Sequence, residues 1–246
     1  MNNKTCNSFF VILKRELKSV YLSSFFYVIA GLFLSVLGVL FFFMNGFLAK
    51  NVSSLDELYY ALATVSYITI PVLVFTSWEK EKTSGTLELL FSFPVSESTI
   101  ILSKLLSVFI QYFSLVFLTL IFPLVISPYG LFSFRIILCQ YFIHLCYSFF
   151  AISLSSLFFV FIKSSVLATC FSFLFLFVLG YINYIPVLMS IPIFLEKIIS
   201  FLSIRFRIVA ANRGVIDSRD IAFFIGNGVL FFFLQERFLF LRRWSR

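Results

Sequence analysis

The side chains able to do chemistry are few and scattered. His144 is the single histidine, and its apolar stretch holds neither a second histidine nor an acidic residue. A zinc or haem site needs more ligands than that. Cys6, Cys139, Cys146 and Cys170 form no CxxC pair. Cys139 and Cys146 are seven residues apart on one helix face, so free cysteines packed as small hydrophobes are expected. No GxxxxGK[ST] phosphate loop occurs, and no soluble segment is large enough for an ATPase. An intramembrane protease or lipid-modifying enzyme would need a nucleophile, base or metal ligands converging within the apolar stretches. None of those stretches carries a central acidic residue. The densest chemistry is mixed charge in two short segments. One runs from Glu79 through Lys80, Glu81, Lys82 and Glu88 to Glu97; the other from Arg213 to Asp220.

The elements that hold these segments follow from where charge is missing. The chain has 246 residues, of which 61% are hydrophobic and 12% charged, with a mean hydropathy of +1.05. A soluble domain carries about 25% charged residues, so a water-soluble enzyme is excluded. Disorder is excluded too, since it requires low hydrophobicity and high net charge. Lys18 to Lys50, Glu57 to Glu79, Lys104 to Arg135, Arg135 to Lys163 and Lys163 to Glu196 are each free of charge between their ends. Each is long enough for the roughly 20 residues of a membrane-crossing helix. Asp220 to Glu236 is shorter and spans only if Glu236 and Arg237 lie at the interface. The expected fold is an all-α integral membrane protein with six helices near 25–45, 58–77, 101–125, 137–161, 166–186 and 220–240. The β-barrel alternative requires alternating strands of about ten residues, which are absent.

Six spans place both termini on one side. With that side cytoplasmic, twelve of the 19 Lys and Arg residues fall inside, and seven outside. The excess follows the positive-inside rule, so a multi-pass protein of the cytoplasmic (inner) membrane is expected. The +8 net charge needs no nucleic acid, because basic residues beside spans hold them against anionic headgroups of membrane lipids. The 38 phenylalanines fit lipid-facing and interhelical packing.

Residues 1–24 read as an amphipathic interface helix before the first span. Phe10, Leu13, Leu17, Val20 and Tyr21 recur at three- and four-residue steps, with Lys14, Arg15 and Lys18 between them. Pro71 is expected to kink the second span. In the cytoplasmic loop 78–98, Gly85 can cap a short helix while Glu88 reaches back to its amide. Leu87, Leu90 and Phe91 then share an apolar face, and Pro94 ends the helix. Such a helix rests on the bilayer or docks in a groove of a cytoplasmic partner. The acidic residues beside it disfavour the anionic inner leaflet, so docking is the expectation. Ser153, Ser155 and Ser156, with Gly226 and Gly228, read as sites of close helix approach, and Asn227 as an interhelical donor. Segment 187–219 reads as a membrane-dipping helical excursion that closes the outer end of a pathway, with Arg213, Gly214, Asp217, Arg219 and Asp220 in its polar turn.

Glu79-Lys80-Glu81-Lys82-Thr83-Ser84-Gly85-Thr86-Leu87-Glu88-Leu89-Leu90, followed by Phe93-Pro94-Val95-Ser96 and Lys104, resembles the cytoplasmic loop of ABC-2 type transporter permeases. Lys14-Arg15-Glu16-Leu17-Lys18 resembles that family's interface helix, and 213–220 with Arg242-Arg243-Trp244 is similar to its gliding-motility subgroup. The resemblance covers essentially the whole chain as one transmembrane domain, 1–246. It implies a permease subunit without catalytic, metal or cofactor sites, paired with a second permease copy. A separate ABC ATPase subunit, which binds ATP and magnesium, would meet Glu79, Glu81, Gly85, Thr86, Leu87, Glu88, Leu90 and Phe91 and drive export. An extracytoplasmic accessory protein is a further partner. A membrane scaffold that recruits the same complex without moving substrate is the alternative.

Overall fold

The computed structural model describes residues 3–44, 55–83, 97–127, 133–188, 192–211 and 214–244. Among them every regular element is helical. α1 (Asn3–Tyr21) turns at Leu22-Ser23 into α2 (Ser24–Val39), which ends in a π-helical turn, Leu40–Met44. α3 (Asp56–Thr83) and α4 (Glu97–Leu118) follow, then the short α5 (Ile121–Ile126). α6 (Phe134–Phe161) and α7 (Ser165–Tyr181) come next. A 3-10 turn, Ile182–Tyr184, leads to α8 (Ile185–Leu188), α9 (Ile193–Leu202), α10 (Ile204–Ala210) and finally α11 (Ser218–Trp244).

Six stretches are long and apolar enough to cross a membrane: Ser24–Phe43, Asp56–Glu79, Ser98–Ile126, Phe134–Phe161, Ser165–Tyr184 and Ser218–Leu241. They coincide with the six intervals expected from the charge-free gaps. This is the composition of a multi-pass membrane protein. Burial ranks them, with the third span intermediate at 44%. The apolar windows of α3 and α6 are 72% and 78% buried, against 28% or less for α2, α7 and α11. α6 is therefore the inner post, packed along α11 most extensively and also against α3, α4 and α7.

Local sequence explains the breaks. Ser164 caps α7, its hydroxyl accepting from the Leu167 amide at 3.5 Å, and Ser203 caps α10 by accepting from Phe206 at 3.3 Å. Asp56 and Glu57 place negative charge in the first turn of α3, where the helix dipole favours it. Pro71 leaves α3 a single continuous helix, its ring buried. The third span breaks at Thr119-Leu120, ahead of Pro123. Thr119 stitches that break to α6, its hydroxyl 2.9 Å from that of Tyr141.

Candidate functional site

The mixed-charge segment is anchored by its two flanking helices. Glu79 and Glu81 lie in the last turns of α3, while Gly85, Thr86, Leu87, Glu88, Leu90 and Phe91 lie outside the described residues. The anchors are better defined. Trp78 near the end of α3 and Lys104 near the start of α4 are both buried. A lysine is almost never fully buried unless its ammonium has partners. Here Lys104 Nζ donates to the Ser77 carbonyl at 2.8 Å and stands 5.1 Å from the Trp78 ring. It also lies 3.8 Å from Glu16 Oε1 on α1, too long for a hydrogen bond and close enough for Coulomb attraction. Arg15 holds the same oxygen at 2.9 Å.

One ammonium thus joins α1, α3 and α4 where the 84–96 connection begins and ends. α1 packs along α4 through a stripe that includes Leu13, Glu16 and Val20. Lys14, Arg15 and Lys18 point outward, as the helical spacing predicts. Phe10, counted in the apolar stripe from sequence, is instead 60% exposed. Beside this joint an apolar recess of about 230 Å³ opens between the α1–α2 corner and α3. Val20, Phe26, Ile29 and Leu73 line it, with Ser23, Thr76 and Glu79 as its polar contributions.

The second cluster forms at the opposite end of α3 and α6. Gly214 adopts φ of 71°, a left-handed conformation that only glycine takes without strain. Its carbonyl accepts from Arg135 Nε at 3.1 Å and lies 3.5 Å from Cys139 Sγ. Asp217 caps α11, its carboxylate accepting from the Arg219 amide at 2.9 Å, and both side chains are exposed. Asp220 is buried and pairs with Arg207 of α10 at 2.6 Å. Arg207 also donates to the Phe201 carbonyl at 2.7 Å and lies 3.9 Å from the Phe223 ring. Gln140 of α6 donates to the Ile208 carbonyl at 3.3 Å. The segment expected as an outer excursion is therefore fastened to α6 and α11 by charge and backbone bonds. Arg213 lies outside the described residues.

Between the two ends runs a sparse set of buried polar contacts. His144 Nε2 is 2.7 Å from the Tyr112 hydroxyl, which gives the lone histidine a partner on α4. Ser156 donates to Gln235 Oε1 at 2.9 Å, and Gln235 Nε2 donates to the Ser153 carbonyl at 2.8 Å. Those bonds tie α6 to α11. The expectation for Asn227 fails: its amide bonds Phe223 of its own helix at 2.7 Å. Asn227 is only half-buried, and its own i−4 carbonyl is the nearest acceptor. A Cβ on Gly226 would meet nothing within 4 Å, whereas one on Gly228 would meet the Phe149 ring at 2.6 Å.

Sequence reasoning missed Glu16, Arg205, Arg207 and Gln235 as functional positions. Arg207 and Asp220 carried a signal, being opposite charges near the end of a span. Gln235 carried none, because a glutamine beside Glu236 reads as the edge of a helix. No protein-family model matches the chain, and no curated protein matches it.

Proposed function

We propose that this chain is the transmembrane permease subunit of an ATP-driven ABC-2 type exporter, with both termini and the 84–96 connection in the cytoplasm. α1 lies in the cytoplasmic interface, and a separate ATPase subunit docks on the acidic and apolar residues between Glu79 and Phe91. A second permease copy completes the transporter. The observation that supports this reading best is the Lys104 joint, where both flanks of the proposed docking loop meet α1 at one buried charge. A rigid joint of that kind carries a displacement of the loop into α3, α4 and α1 together, which is what coupling to an ATPase requires. The chain itself binds no nucleotide in this reading.

Charge reversal tests it. Glu81→Lys or Glu88→Lys is expected to abolish co-purification of the ATPase and substrate movement, with membrane insertion unchanged. Normal ATPase recovery and transport by both variants would sink the docking assignment. A partner ATPase that is stimulated by this chain with no substrate moved would convert the reading to a scaffold.

A further inference from the structure

We propose that Tyr60, Tyr181 and Tyr184 form an exchangeable cation site, filled in this conformation by Arg205, which takes the ammonium group of an external ligand in its place. The guanidinium carbon of Arg205 is 4.7 Å from the Tyr60 ring centroid, 5.3 Å from that of Tyr184 and 5.6 Å from that of Tyr181. All three lie within the distance of about 6 Å at which a ring quadrupole attracts a cation. Several aromatic faces around one positive centre is the arrangement that recognises quaternary ammonium groups.

The contrast with Arg207, two residues on, shows why this guest can leave. Arg207 has a buried carboxylate partner at 2.6 Å. Among the described residues no carboxylate lies within ion-pair distance of Arg205, so its close contacts are the ring faces. A cation with equal affinity for those faces can replace it without stranding a buried anion.

The walls do not depend on the guest. The Tyr181 hydroxyl is 3.1 Å from Thr64 Oγ1, and Thr64 donates to the Tyr60 carbonyl at 2.9 Å. The Tyr181 ring also stacks with Tyr184 at 5.9 Å and meets the Tyr67 ring edge-on at 6.2 Å. Gly180 makes room for that packing, since a Cβ there would collide with the Tyr67 ring. Tyr184 is exposed, and Tyr60 and Tyr181 are half-buried, so the site opens to the surface. Asp56 and Glu57 lie four and three residues before Tyr60, on the same side of α3, and give the approach a negative character. A primary or methylated ammonium suits the rings, and its entry would free α10 from α3 and α7 while the Arg207–Asp220 pair still holds it to α11.

The test uses the full-length chain in phosphatidylglycerol nanodiscs, titrated calorimetrically with tetramethylammonium. Wild type is expected to bind weakly and saturably, Arg205→Gln roughly tenfold tighter, and Arg205→Gln with Tyr184→Leu not at all. No saturable binding to wild type, or no gain in Arg205→Gln, overturns the proposal. If Arg205→Gln is not recovered folded, Tyr184→Leu in the wild-type background decides alone: undiminished binding overturns the site. Nanodiscs with the same share of phosphatidylglycerol, the remainder either phosphatidylcholine or a neutral glycolipid, separate the sources of the ammonium at equal surface charge. Weaker tetramethylammonium binding with phosphatidylcholine assigns the site to a lipid headgroup, and equal binding assigns it to a soluble cation.

Discussion

The buried ammonium of Lys104 meets Ser77, Trp78 and Glu16 with unequal strength. Its bond to the Ser77 carbonyl is short, at 2.8 Å, whereas Glu16 stands at 3.8 Å and shares its carboxylate with Arg15. Deleting Glu16 alone removes a negative charge 3.8 Å from a buried ammonium, which is the costly way to break such a pair. Removing both charges restores balance. Glu16→Gln is therefore expected to cost about 1–2 kcal/mol in wild type and close to nothing in a Lys104→Met background. Thermal unfolding in detergent, followed through Trp78 fluorescence, measures this cycle. Additivity within about 0.3 kcal/mol would show that the two charges do not interact. Glu16 and Lys104 both lie in segments that sequence singles out, yet their pairing is invisible there, because nothing in the spacing of two helices fixes which faces meet.

Among the helices, α6 and α11 form the most extensive pair, and two bonds from Gln235 fasten it. Hydrogen bonds between membrane helices average about 0.6 kcal/mol, because the separated helices also find partners. Gln235→Leu is accordingly expected to lower stability by about 1 kcal/mol, readable as a modest drop in Tm. A loss above about 4 kcal/mol would mean that the side chain does more than join two helices. Element existence was plain from sequence, since a run free of charge and long enough to span has few other solutions in lipid. Element detail was not. Pro71 sits inside one continuous helix, and the helix break at Thr119-Leu120, where Pro123 coincides with a hydroxyl contact to Tyr141, was not foreseen. Ser153 and Ser156 did mark a close approach, whereas Asn227 spent its amide on its own helix.

For the molecule as a whole, six crossings would impose an alternation of sides. The Ile162–Ser164 turn follows the end of α6 at which Phe159 packs on Phe75 in the C-terminal half of α3, and Ser133 sits at the opposite end of α6. With the termini cytoplasmic, a cysteine at Ser133 should react with a membrane-impermeant maleimide in intact cells, and one at Lys163 should react only after lysis. Native cysteines are first replaced by alanine, because Cys139 is partly exposed near the first position. The reverse labelling pattern would invert the topology and remove the 84–96 connection from any cytoplasmic ATPase. Charge-free intervals predicted the six apolar helices well. They predicted the cage around Arg205 not at all, since Tyr60 and Tyr184 are far apart in sequence and tyrosines near span ends are common.

The joint at Lys104 also bears on how the chain is made. Domains and elements emerge from the ribosome N-terminal first. Glu16 and Ser77 precede Lys104 in the chain, so the carboxylate and the carbonyl are both synthesised before the ammonium that needs them. Lys104 can then be delivered into an acceptor already assembled, and α4 need not enter the lipid carrying an uncompensated charge. A chain in which α1 were moved behind α4 would lose that order, and its third span would be exposed to quality control while half-inserted.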